Sequence, residues 1–259
     1  MIRWRIILKG LPEVKGLLKL IQIEFLKLRR RKFVWLMLLS AFFMPLLALV
    51  AFRNETGIEP IRFYNWTVFS HTSWIILPVV LGMLCTMLIY DENQYHLLGQ
   101  LWIVPVSKMR YFFSKFVVIL IYSICFMLIT AASSVTLGVL ADFITFEWEI
   151  TFLILKKCLE TGILTAFAML PVLTVAAVQE GYILPVCTTL IYVFSGFIFL
   201  MVNMYLHPLS SVAVIIDHDI PGVVFRQAVS MKSAFLCIGV WDCVSVFGTY
   251  TALVKKKVR

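Results

Sequence analysis

Six long apolar runs constrain this chain more than anything else in it, because each approaches the roughly 20 helical residues that cross a hydrocarbon core of about 30 Å. Phe33 to Phe52 and Phe116 to Leu140 hold no charged residue. Phe69 to Tyr90 carries only His71 and stops at Asp91-Glu92. Thr161 to Val178 is shorter and contains Pro171, which a membrane helix tolerates when neighbouring helices satisfy the freed backbone groups. Tyr182 to Leu206 follows the short link Gln179-Glu180-Gly181, and Ser233 to Val254 closes the set with Asp242 near its middle. The runs are continuously apolar rather than alternating, so they predict helices and not strands. At 61% hydrophobic and 14% charged residues, the chain has too little polar surface to coat a globule in water. A secreted domain, a cytosolic enzyme and a disordered adaptor are excluded on that ground. The expected fold class is all-α: a polytopic membrane protein with six transmembrane helices, at 33–52, 69–90, 116–140, 161–178, 182–206 and 233–254.

Charge placement sets the expected orientation. The net charge is +9, and ten of the 23 basic residues lie in the first 32 positions, with four more in the last five. Basic clusters beside apolar runs read as anchors on anionic lipid at the cytoplasmic face, not as a nucleic-acid surface. With the N-terminus inside, the inner segments hold seventeen Lys and Arg and the outer segments six. Both termini are therefore expected in the cytoplasm, with residues 1–32 forming an N-terminal extension and amphipathic helix, 33–254 the six-span domain, and 255–259 a basic cytoplasmic tail. The first apolar run begins too late, and runs too long, for a signal peptide.

Three stretches outside the spans carry information. Val14, Leu17, Leu18, Ile21, Phe25 and Leu28 recur at helical spacing, with Lys15, Lys19 and Gln22 off that stripe. This is an interfacial amphipathic helix leading into Arg29-Arg30-Arg31-Lys32, either a simple anchor or a lateral helix against which spans pack. The outer link from His207 to Lys232 contains Val212 to Ile216, too short to span, then Asp217-His218-Asp219 and Pro221-Gly222. It either dips into the membrane, caps the outer face or forms a plain loop. The inner link from Asp91 to Lys115 is the longest cytoplasmic connection.

Much familiar chemistry is missing. There is no G-x-x-x-x-G-K-[ST] loop to cradle ATP phosphates, and neither H-E-x-x-H nor G-x-S-x-G occurs. Asp217-His218-Asp219 offers ligand-type side chains, but three adjacent loop residues rarely converge on one ion, so a solvated outer loop is expected and no metal site. The six cysteines include no C-x-x-C pair and read as small buried hydrophobes. His71, His96 and His207 stand alone near interfaces, where a hydrogen-bonded imidazole is the ordinary role. Ser134-x-x-x-Gly138 and Gly162-x-x-x-Ala166 permit close helix approach. Asp242 lies nine residues from Ser233, about 14 Å along a helix, with no Lys or Arg inside the spans to pair with it. It is expected to be neutral and hydrogen-bonded to a neighbour such as Ser195 or Tyr192, or to face a wet cavity where it lines a cargo path.

The inner link is the most specific stretch. Asp91 and Glu92 stand at the mouth of the second span, followed by Leu97, Leu98, Gly99, Leu101 and Trp102, then Pro105, Ser107 and Lys108, with Lys115 ten residues after the proline. This pattern resembles the type-2 ABC exporter permeases, and Ile23-Glu24-Phe25-Leu26-Lys27-Leu28-Arg29-Arg30 resembles that family's entry to its first span. Within the family, the likeness is strongest to bacitracin-export and lantibiotic-immunity permeases, small six-span chains of about this length.

The resemblance implies that the inner link forms a cytoplasmic coupling helix docked in a groove of a separate ATPase. Leu97, Leu98, Leu101 and Trp102 would supply its apolar face, and Pro105 would end it. It further implies two ABC ATPase subunits as partners, a second permease copy or a sibling permease, and membrane lipids around the assembly. ATP and magnesium would be held by the ATPase and no cofactor by this chain. The expected function is the permease subunit of an exporter in a bacterial plasma membrane, removing a peptide antibiotic or a lipid-linked molecule. Export of a cell-envelope lipid or polysaccharide, and a scaffold or sensor that moves nothing, are the alternatives. An intramembrane enzyme fits poorly with a single midplane acid.

Overall fold

The computed structural model describes residues 13–55, 57–94, 108–179, 181–218, 225 and 229–255. Among these residues the chain is helical, without strands. An amphipathic helix, α1 (Glu13–Arg29), precedes six helices long and apolar enough to cross a membrane. These are α2 (Lys32–Ala51), α3 (Pro60–Tyr90), α4 (Lys108–Leu140), α5 (Trp148–Val178), α6 (Ile183–Val202) and α8 (Met231–Leu253). A short apolar helix, α7 (Pro208–Asp217), lies between the last two.

Three helices begin well before their apolar runs, α4 among them, which starts at Lys108 rather than near Phe116. The one carrying the second span starts at Pro60 rather than near Phe69, and the one carrying the fourth starts at Trp148 rather than near Thr161. In each case polar residues continue the helix into the end of the bundle, where packing decides the boundary and hydropathy does not. Pro60 occupies the first turn of its helix, where its missing N–H and fixed φ cost nothing. Two π-helical stretches, Asn65–Ser70 and Thr72–Ile76, widen α3 before it settles into a regular helix over Leu77–Gln94.

Pro171 interrupts α5 as its chemistry requires. The helix divides at Met169 into Trp148–Ala168 and Leu170–Val178. The polar groups at this break are met from other spans: Tyr192 Oη donates to Ala168 O at 2.6 Å, and Thr174 Oγ1 to Ser245 O at 3.2 Å. Thr249 Oγ1 reaches Thr174 Oγ1 at 3.0 Å, completing a polar seam between α5 and α8.

Small residues set the closest crossings. Ser123 Oγ of α4 donates to Gly162 O of α5 at 2.7 Å, and a Cβ on Gly162 would stand 3.0 Å from Ile124 Cα. Gly82 of α3 is likewise pressed against Thr189 of α6. The Gly162 crossing is the one that the Gly162-x-x-x-Ala166 spacing indicates. At the end of the bundle far from α1, Phe52, Phe63, Trp66 and Phe143 form an aromatic plug, with Phe52 and Trp66 edge to face at 5.2 Å. Of the six cysteines, Cys85, Cys158 and Cys237 are buried as expected, whereas Cys125, Cys187 and Cys243 face out of the bundle. An apolar thiol is as stable against lipid as against protein, so composition alone does not separate the two places.

Because its nearest neighbour is backbone, Gly162→Val must force α4 and α5 apart, at a cost of about 1–3 kcal/mol. Gly239→Val, where an added Cβ meets nothing within 4 Å, is the matched control. Thermal unfolding of the detergent-purified chain should show a lower midpoint for the first variant and an unchanged one for the second.

Candidate functional site

The site indicated by sequence is the link joining the second span to the third. Leu97, Leu98, Gly99, Leu101, Trp102, Pro105 and Ser107 lie outside the described residues. What the structure describes is the frame that holds this segment by its two roots. Asp91 and Glu92 belong to the helix that runs to Gln94, and Lys108 opens α4.

A buried ion pair ties the roots together. Lys115, in the second turn of α4, is fully buried, and so is nearly all of the Glu24 side chain of α1. Lys115 Nζ lies 3.3 Å from Glu24 Oε2, donates to Leu88 O of α3 at 2.8 Å, and sits 4.7 Å from the centroid of the Tyr111 ring. Glu24 Oε1 receives Lys27 Nζ at 3.0 Å. One ammonium thus meets a carboxylate, a carbonyl and an aromatic face, each from a different part of the chain. Lys108 Nζ donates to Leu253 O near the end of α8, which brings the last span to the same place. Tyr90 and Tyr182 meet edge to face at 5.4 Å, adding the start of α6.

Sequence alone places Glu24 in the stretch Ile23 to Arg30 but gives it no role, although a signal is present. It sits on the apolar side of α1 in register with Leu20 and Leu28, and among residues 17–29 these three are the buried ones. The stripe read from sequence holds at Ile21, Phe25 and Leu28, which pack on the core, but not at Leu18, which is 55% exposed, and it leaves out Leu20, which is buried. The true seam runs Leu20, Glu24, Leu28, rotated toward α4 because the ion pair fixes it there.

Asp242 and the outer link also depart from expectation. Neither proposed partner reaches Asp242: the Tyr192 hydroxyl goes to Ala168 O, and Ser195 Oγ donates to Tyr192 O at 2.8 Å. Asp242 is half-buried on α8, and its Oδ1 has no hydrogen-bond partner among the described residues. Asp217 is not the solvated loop residue expected. It ends the almost wholly buried α7, and Trp74 Nε1 donates to its Oδ2 at 3.1 Å. Burial pushes its carboxyl up to about 7, against the smaller opposing pull of the Trp74 hydrogen bond and of Lys157. Neighbouring His218 is exposed and turns instead to Ile215 O, at 2.8 Å, so the two side chains do not converge.

His207 caps α7 from within. Its Nδ1 accepts Leu209 N–H at 3.2 Å, which leaves the proton of the neutral ring on Nε2, facing Ser195 Oγ at 3.1 Å. Burial lowers this imidazole to about 4, consistent with a neutral ring held between Tyr192 and Phe199.

With these placements known, the comparison with known families bears on the whole arrangement. Residues 20–196 match the model of the ABC-2 family transporter protein, a stretch that opens inside α1, holds both members of the buried pair and reaches Gly196 of α6. The chain belongs to the ABC-2 transporter family. No curated protein is a significant match to it. ABC-2 membership makes the chain an integral-membrane permease component of an ABC transporter and implies association with ABC ATPase partners. Such components are generally not catalytic themselves.

The ion pair has a measurable signature. Removing one partner of a buried pair leaves the other charge unmet and costs about 3–5 kcal/mol, while replacing both with apolar residues costs far less. Glu24→Leu and Lys115→Met should each lower the thermal midpoint of the purified chain substantially. The double variant should recover most of that loss, giving a double-mutant coupling well above the roughly 1 kcal/mol ceiling typical of exposed pairs.

Proposed function

We propose that this ABC-2 permease is half of the membrane domain of an exporter, pairs with a second copy or a sibling permease, and is driven by two ATPase subunits that bind ATP and magnesium. Residues 91–108 form the coupling segment, with Leu97, Leu98, Leu101 and Trp102 docking in the ATPase groove and Asp91, Glu92 and Lys108 orienting it. The observation that carries this reading is the anchoring of both roots. Leu88 O is held by Lys115, and Lys108 Nζ by Leu253 O, so force applied to the segment reaches α1, α3, α4 and α8 together.

The cargo is a peptide antibiotic or a lipid-linked molecule, and its removal from the membrane gives resistance or immunity. The likeness of residues 90–115 and 23–30 to bacitracin-export and lantibiotic-immunity permeases supports this reading. A further support is the position of Asp242 on α8, one of the three least buried spans, where an acid with an unmet oxygen can receive a cationic group passing along the protein. The excess of Lys and Arg in the inner segments supports cytoplasmic termini in a bacterial plasma membrane.

Two variants in one assay separate docking from cargo handling. Leu98→Glu places a charge in an apolar groove, which costs several kcal/mol and weakens docking by orders of magnitude. It should insert normally, fail to co-purify the ATPase and fail to protect cells against the antibiotic. Asp242→Asn keeps the shape and removes the charge, so it should retain the ATPase and its hydrolysis yet lose protection. Full co-purification by Leu98→Glu would refute the docking segment, and full protection by Asp242→Asn would refute the cargo role.

A further inference from the structure

The elbow where α1 turns into α2 encloses an open groove of about 660 Å3, inside the roughly 300–1,000 Å3 range of sites that hold small organic ligands. Three elements form it: Phe25 and Leu28 from α1, Val34 and Leu38 from α2, and Ile121 and Cys125 from α4. Its walls are overwhelmingly apolar and include no carboxylate. Two contacts keep it open. Tyr122 Oη donates to Val34 O at 3.0 Å, bracing α2 against α4, and Trp35 Nε1 donates to Arg29 O at 3.4 Å across the bend.

The groove's charge sits at the bend, while Gln22 adds a neutral polar side chain farther along α1. Arg29 lines the groove, and the exposed side chains of Arg30 and Lys32 follow immediately in the chain. Among the described residues, no carboxylate pairs with Arg29, Arg30 or Lys32. The same bend presents the N-terminal end of α2, whose N-cap Arg31 makes no side-chain capping bond, so the positive end of that helix dipole adds to the charge. The Glu24 carboxylate, the acid nearest in α1, is turned into the core against Lys115 and Lys27.

From this juxtaposition we infer that the elbow is a binding site for one anionic phospholipid, with an acyl chain in the Phe25–Leu38–Cys125 groove and the headgroup phosphate on Arg29, Arg30 and Lys32. An apolar groove alone would accept any lipid tail. Arg29 on the wall, with exposed Arg30 and Lys32 next in the chain and the N-terminal end of α2 beside them, selects the anionic headgroup. The site therefore reads the charge of the membrane at the root of the helix that carries Glu24.

Bromine on an acyl chain quenches tryptophan only at contact, and Trp35 is part of the groove wall. The full-length chain is reconstituted in phosphatidylcholine vesicles containing a minor fraction of phosphatidylglycerol, with one lipid brominated at a time. The Trp35 signal is the difference between wild type and Trp35→Phe. Each cation beside an anionic surface favours it by about five-fold, so the Arg29→Gln/Arg30→Gln double variant should lose about twenty-five-fold in preference. In wild type, brominated phosphatidylglycerol should quench Trp35 far more per molecule than brominated phosphatidylcholine, and the double variant should bring the two close to parity. Equal quenching in wild type would overturn selection of the anionic lipid. No quenching of Trp35 by either lipid would show that protein covers the groove, and would overturn the site itself.

Discussion

The contact between Lys115 and Glu24 is the fixed point of this molecule. A charged ammonium with no solvent exposure is tolerable only if several groups meet it at once, and here a carboxylate, a backbone carbonyl and an aromatic ring do so. Each of those groups lies in or beside a different helix root. The cost of burying the charge is therefore also a geometric restraint: α1 cannot slide along the membrane surface, nor α3 separate from α4, without stranding it. Lys27 shares the Glu24 carboxylate and completes the arrangement.

This restraint supports the coupling role proposed for the link between α3 and α4. In the function proposed above, the free energy of ATP hydrolysis on a partner enters the membrane domain through a segment that reaches the partner and is stiffly joined to the spans. Both roots of the 91–108 stretch are stiffly joined, one through Leu88 and the other through Lys108 and Lys115. The far end is built differently. There α7, the neutral His207 and the buried Asp217 close the bundle with hydrogen bonds to Ser195 and Trp74. Small-residue crossings at Gly162 and Gly82 join the spans between the two ends.

The spans were legible because a lipid interior permits only continuous apolar helices, and Phe33 to Phe52 or Phe116 to Leu140 have no other reading. The close approach at Gly162 was legible for an equally local reason, whereas Pro171 reads as tolerated within one span and the division at Met169 was not legible. The Glu24–Lys115 pair was not, since its members stand 91 residues apart and only packing joins them. Asp217 misled for the complementary reason: beside His218 and Asp219 it looks solvated, and only its contact with Trp74, 143 residues away, shows it to be buried. The approach of Gly82 to Thr189 was not legible in the sequence, because nothing local indicates which helix faces Gly82. The coupling role proposed for Leu97 to Ser107 rests on family likeness, and these positions lie outside the described residues.

The central claim is that an ATPase engages this chain through the link between α3 and α4. A photo-crosslinking amino acid placed at Gln100, inside that link, tests it in native membranes under illumination. The account predicts a single prominent adduct between the permease and a chain carrying a Walker A motif, and no such adduct from the same probe placed at Glu147, at the far end of the bundle. An adduct to the ATPase from Glu147 but not from Gln100 would contradict the account.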